Sequence, residues 1–128
     1  MCSTTGKTKY SYIRYLIRIY PKSAIFAFAY CFKIYQCFYV AGKWFCFVNI
    51  EVFDFCCIKC NPEESGELQT TYIGIKPGWH MNKKYWISVY FNQDVPDEKI
   101  KELVSKSYDI VVKSLTKKER EMLLSSGE

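Results

Sequence analysis

The segment Lys76-Pro77-Gly78-Trp79-His80-Met81-Asn82-Lys83-Lys84-Tyr85-Trp86 holds the densest set of chemically capable side chains in the sequence. Lys76, His80, Asn82, Lys83 and Lys84 supply cations and hydrogen-bond donors, and Trp79, Tyr85 and Trp86 supply flat aromatic faces. The mixture suits nucleic acid. Lysines neutralise phosphates and release counterions, an amide such as Asn82 can reach a base edge, and exposed aromatics stack on unpaired bases. The candidate nucleic-acid contacts are Lys76, Trp79, His80, Asn82, Lys83, Lys84 and Trp86. A plainer reading competes for each residue taken singly: the tryptophans are large enough to be core, Asn82 can close a turn, and lysines ordinarily face water.

Catalysis has less to draw on. His80 is the only histidine, and its ordinary pKa of roughly 6.5 suits acid–base work near neutrality, but it needs a partner. The sequence lacks G-x-S-x-G, H-E-x-x-H, a Walker loop and a dinucleotide glycine pattern, so a non-enzyme without a cofactor is expected. Cys57-Ile-Lys-Cys60 has the C-x-x-C spacing of a redox pair or half a zinc site, with no second C-x-x-C or histidine pair to complete it. Its place in an alternating aromatic stretch favours buried thiols acting as small hydrophobes. Glu63, Glu64 and Glu67 resemble a metal ridge, but acids in the first turn of a helix answer the helix dipole, and no metal site is assigned.

The elements that must position these residues belong to one domain, 1–128. The chain has 128 residues, 49% of them hydrophobic and 18% aromatic, which suits a single core and excludes disorder. Positive charge is concentrated early: 8 Lys+Arg face 2 acids up to Cys60, and 10 face 11 thereafter. Seven cysteines, an odd number, without a convincing export signal favour a reducing, cytoplasmic setting. The apolar run from Ser23 to Phe32 is too short for a membrane span, which needs roughly 20 residues, and reads as part of the fold.

Tyr12, Ile13, Leu16, Ile17 and Tyr20 recur at near-helical spacing and Pro21 follows, so Lys9 to Tyr20 is a helix. From Ile25 to Lys59 the chain reads as an antiparallel meander, with Ala41-Gly42-Lys43 turning between Cys37–Val40 and Trp44–Ile50. Asn61-Pro62-Glu63-Glu64 starts a helix to about Thr71, Asn61 capping and Glu64 closing a capping box. Gly74, Pro77 and Gly78 then interrupt. Lys84 to Phe91 alternates as a strand, Trp86, Ser88 and Tyr90 facing one way and Tyr85, Ile87, Val89 and Phe91 the other. Pro96-Asp97-Glu98 opens a long amphipathic helix through Leu115, and Thr116-Lys117-Lys118-Glu119 is a capping box for a last helix through Leu124. Lys113, Lys117, Lys118 and Arg120 form a secondary basic group there, and Arg14, Arg18 and Lys22 would extend a basic surface if the first helix packed beside the Lys76–Trp86 loop. The fold class is α+β: two layers, one antiparallel sheet with helices packed on one face.

The Lys76–Trp86 segment resembles the P-G-[YW]-H-M-N-K-[KR]-[HY]-W signature of the MmcQ/YjbR family. The resemblance extends to Val40-Ala41-Gly42-Lys43-Trp44-Phe45, Ile58-Lys59-Cys60-Asn61-Pro62-Glu63, Val95-Pro96-Asp97-Glu98 and Ser107-Tyr108-Asp109 through Leu115, about Phe38 to Leu115 in all. It implies a bacterial, cytoplasmic two-layer domain, similar to secretion chaperones and to the CyaY architecture, with a DNA-binding role attached to the family. The N-terminal third departs from the family pattern, since Ser23 to Phe32 is aromatic and apolar where relatives tend to be acidic and polar.

Three functions follow in order. The first is a non-enzymatic module whose basic, aromatic loop contacts DNA, with affinity falling steeply in salt. The second is a protein- or peptide-interaction module using an apolar surface, tolerant of salt. The third is a small-molecule site around His80 and Trp79. None involves a membrane, and the oligomeric state is open.

Overall fold

The structure, a computed structural model, describes residues 9–28, 33–49, 54–79 and 81–125, of which 9–13, 24–28 and 33 are described by backbone alone. In chain order they form α1 (Lys9–Ile19), β1 (Ser23–Phe28), β2 (Lys33–Val40), β3 (Lys43–Asn49), β4 (Phe55–Lys59), α2 (Pro62–Thr71), β5 (Ile75–Pro77), β6 (Trp86–Tyr90), α3 (Asp97–Ser114) and α4 (Lys117–Ser125). The strands make one antiparallel six-stranded sheet in the order β1-β2-β3-β4-β6-β5. This is the expected α+β arrangement.

The helices gather on one face of the sheet. Ile100, Leu103, Val104 and Val111 of α3 pack on Cys46, Val48, Cys56, Ile58, Ile87 and Val89, joined by Leu16 of α1 and Leu68 of α2. The stripe on α3 follows from its 3.6-residue period, and Asp97 and Glu98 load its first turn as the dipole prefers. Across the sheet lies a second, aromatic cluster: Tyr35, Cys37, Phe47, Phe55, Cys57 and Trp86, with Trp44, Trp79, Met81 and Tyr90 packed against it.

A β-bulge in β3 decides which aromatic goes where. Phe38 pairs with Cys46 but Tyr39 pairs with Trp44, so Phe45 is the extra residue. Phe45 turns to the helix side, edge-on to Tyr20 and Tyr108 at 5.0 and 5.1 Å, while Trp44 and Phe47 face the other way. Strict alternation would have put Phe45 and Phe47 together. The bulge also breaks the ladder to β4, and Ser107 of α3 repairs it. Its hydroxyl donates to the Phe45 carbonyl at 2.6 Å and accepts from the Lys59 N–H at 2.8 Å, fully buried.

Two expectations need correction. The stretch Ile75–Pro77, read as an interruption, is an edge strand. Its proline and exposed Lys76 are what an edge tolerates, and the Asp94 carboxylate holds its entry by accepting from Ile73 and Gly74 N–H, both at 2.7 Å. Asn61 does cap α2, accepting from Glu64 N–H at 2.9 Å, but the Glu64 carboxylate does not close the box. It pairs instead with Lys106 of α3 at 2.9 Å, across the groove between the two helices. Cys57 and Cys60 are buried as the sequence implied, and on opposite sides of the sheet, Cys57 in the aromatic cluster and Cys60 in the helix-side core. The capping box at Thr116 and Glu119 forms as expected, with reciprocal bonds of 3.1 and 2.9 Å. Ile50 and the run 29–32 lie outside the described residues.

Candidate nucleic-acid interface

The signature segment is a strap tied to the sheet by its own polar groups. Gly78 donates to the Trp86 carbonyl at 2.9 Å, and a Cβ at Gly78 would sit 2.6 Å from the Trp86 Cβ, so only glycine permits this approach. Trp79 N–H donates to Ser88 Oγ at 3.0 Å. The Asn82 carbonyl accepts from Tyr85 and Trp86 N–H at 3.1 and 3.0 Å, and its side chain accepts from Lys84 N–H at 3.0 Å. Lys83 reaches back to donate to the Gly78 carbonyl at 2.9 Å.

Each candidate can now be placed. Trp86 is 6% exposed and belongs to the core; Asn82 closes the turn; Lys83 clasps the strap while remaining solvent-exposed. Trp79 is half-buried, its ring 5.5 Å from Tyr35 and 6.1 Å from Phe55. Lys76 and Lys84 are exposed, with the Lys84 ammonium 5.5 Å from the ring of Tyr85, itself exposed. His80 lies outside the described residues. The structure thus brings together Lys76, Trp79 and Lys83 at the helix-free face, leaves Lys84 exposed beside Tyr85 near the end of the strap, and withdraws Trp86 and the Asn82 amide into internal contacts.

Register adds residues that motif reading missed. Lys59 is the cross-strand partner of Trp86, its ammonium 5.7 Å from that ring, and Lys76 pairs with Ser88, which pairs with Cys57 of the aromatic cluster. Lys59 and Lys76 therefore rise from the same face as the strap. Trp44 and Tyr90, both partly exposed, complete the aromatic part of that face. The signal for them was the strand alternation, read across β3, β4 and β6 together.

The electrostatics differ between the two faces. Lys43 pairs with Glu119 at 3.6 Å, Lys99 with Glu102 at 3.0 Å and Lys106 with Glu64 at 2.9 Å, all on the helix side. Among the described residues no carboxylate forms an ion pair with Lys59, Lys76, Lys83 or Lys84. Lys76 is felt at longer range by Asp94, whose carboxyl is held below its ordinary value chiefly by the Ile73 N–H.

Cys37, Cys57 and Cys60 are buried and held in the thiol form at neutral pH. Burial pushes Cys57 up to about 12, outweighing the Ser88 hydroxyl, the Trp79 N–H and the Lys83 charge that oppose it. Burial likewise takes Cys37 to about 12 and Cys60 to about 11. Among the described residues no three His, Cys, Asp or Glu side chains converge as metal ligands. No helix of the described chain is long and apolar enough to cross a membrane.

A family model, YjbR, matches residues 25–110, more than half of the chain. The chain belongs to the YjbR family. Uncharacterized protein YbdF of Escherichia coli O157:H7 is 40% identical over 63 residues, covering 49% of this chain and 52% of that protein. Uncharacterized protein YjbR of Escherichia coli K12 is 33% identical over 67 residues, covering 52% and 57% respectively. The chain spans about half the length of the curated relatives it matches. Among solved structures, Deinococcus radiodurans protein DR2400 superposes with a TM-score of 0.76 at 28% identity, covering 94% of this chain and 91% of that one. A Pseudomonas syringae protein does so at 0.65 and 24% identity, covering 80% and 97%, which speaks to the fold alone. The likeness to DR2400 bears out the α+β class, one antiparallel sheet with helices packed against it.

Proposed function

We propose that this YjbR-family chain is a non-enzymatic nucleic-acid-binding module whose phosphate contacts come from the helix-free side. One observation carries the reading: Lys59, Lys76 and Lys83 gather at that face, with Lys84 exposed near the end of its strap, and no described carboxylate forms an ion pair with any of them. Unpaired surface ammonium groups attract a polyanion and release its counterions, which is the main sequence-independent source of affinity for nucleic acid. The segment's part in this is mainly electrostatic, because the Asn82 amide is committed to the turn and Trp86 to the core.

Fluorescence anisotropy with a labelled DNA oligonucleotide at low and moderate salt tests the reading. Lys76→Ala/Lys84→Ala removes two exposed cations and spares Lys83, whose loss would loosen the strap. Wild-type affinity should fall steeply with salt. The double variant should bind more weakly and show a salt slope shallower by roughly one to two phosphate contacts. Absence of binding by the folded protein at low salt overturns the proposal.

A further inference from the structure

We infer that the helix-free face is a stacking platform for single-stranded DNA, with Trp44, Trp79 and Tyr90 offering ring surface to unpaired bases while Lys59, Lys76 and Lys83 hold the phosphates. This rests on the nucleic-acid reading above and narrows it to one substrate class. The helices all lie across the sheet, so among the described residues this face is covered only by the strap. Trp44 comes from β3, Tyr90 from β6 and Trp79 from the strap, and all three remain partly exposed although they pack on the cluster beneath.

The rings rest on a rigid base. Phe47 lies 6.4 Å from Trp44 and 6.1 Å from Trp86, and Phe55 lies 5.0 Å from Tyr90 and 6.1 Å from Trp79. Side chains held this way lose little freedom when a base stacks on them. The bulge at Phe45 contributes directly: by shifting alternation one residue, it sends Trp44 to this face rather than into the helix-side core.

Charge complementarity names the occupant. A neutral peptide would bring no counter-charge to these lysines, whereas a DNA strand presents phosphates at regular intervals beside its bases. A duplex keeps its base faces stacked internally and offers the platform phosphates alone, so an unpaired strand uses both halves of the surface. The Asn82 Oδ1 of the strap and the Ser88 Oγ of β6 beneath it are already engaged, consistent with recognition through base faces and phosphates rather than hydroxyl readout.

The deciding experiment compares labelled oligo-dT and a mixed-sequence single strand with a duplex of the same length, using anisotropy and quenching of tryptophan emission. Single strands should bind about tenfold or more tighter than duplex and quench the tryptophans. Trp44→Leu and Tyr90→Leu, each checked for folding by circular dichroism, should each weaken single-strand binding about tenfold while leaving the salt slope unchanged. Two separate variants keep the test decisive if one fails to fold. Equal binding of duplex and single strand, with both folded leucine variants at wild-type affinity, overturns the platform while leaving lysine-dependent DNA binding in place. No binding of either form at low salt overturns both.

Discussion

Ser107 shows how one small side chain carries a local irregularity. The bulge at Phe45 leaves a carbonyl on β3 and an N–H at Lys59 without ladder partners in a dry interior, and one hydroxyl serves both. Ser107→Ala leaves two buried polar groups unsatisfied and should destabilise the fold by about 2–3 kcal/mol, seen as a lower urea midpoint with an unchanged slope. A loss below about 0.5 kcal/mol would mean that water or a local shift replaces the hydroxyl. The need for Ser107 was not legible in the sequence, because it depends on a bulge that becomes visible only once β2 and β3 are paired. Gly78 was legible as a breaker, but its reason, the Trp86 Cβ and backbone packed against it, belongs to the folded strap.

At the scale of the element, the β2–β3 hairpin turns on Ala41 and Gly42, both with positive φ, 50° and 78°. Two central residues in the left-handed region make the mirror-image turn that suits tight hairpins. Glycine adopts it freely, whereas alanine carries a Cβ penalty of roughly 1 kcal/mol. Ala41→Asn should therefore raise stability by about 0.5–1 kcal/mol, measured as a higher melting temperature, without altering the fold. The helices were legible because their caps and apolar stripes are local: Asn61, Pro62, Asp97, Thr116 and Glu119 all act within one turn of their own helix. β5 was not legible. Three residues carry no period, and its strand character comes from pairing with β6 and from Asp94, 20 residues away from Gly74.

For the whole molecule, the buried thiols couple stability to pH. Cys37 and Cys57 at about 12 and Cys60 at about 11 stand above the ordinary thiol value of 9.0, so the unfolded chain ionises first. The stability they protect is complete below about pH 9 and is lost as pH climbs toward their folded values, by about 1 kcal/mol per pH unit for each thiol that responds fully. Urea melts in reductant should hold steady from pH 7 to 8.5 and shift to lower midpoints by pH 10.5. Cys37→Ala/Cys57→Ala should flatten that fall, though its midpoint starts lower. An unchanged wild-type midpoint at pH 10.5 would show that the thiols are not shielded as packed. At the acid end, Asp94, Glu102 and Glu119 are held below their ordinary values by hydrogen bonds and nearby cations. Their contribution is present at neutral pH and fades as pH drops through the carboxylate range; it is small, because all three lie in solvent.

The order of residues is enough for the α+β class, the family, the helices and most strands, because caps, periods and the signature motif are written in consecutive residues. It also determined that Lys76, Trp79, Lys83 and Lys84 travel together on one segment. Folding is what puts Trp86 in the core, commits Asn82 to the turn, and sets Lys59, Trp44 and Tyr90 on one face with the strap. The reason is physical: a side chain's face is set by strand register, and register depends on partners far along the chain and on a single bulged residue.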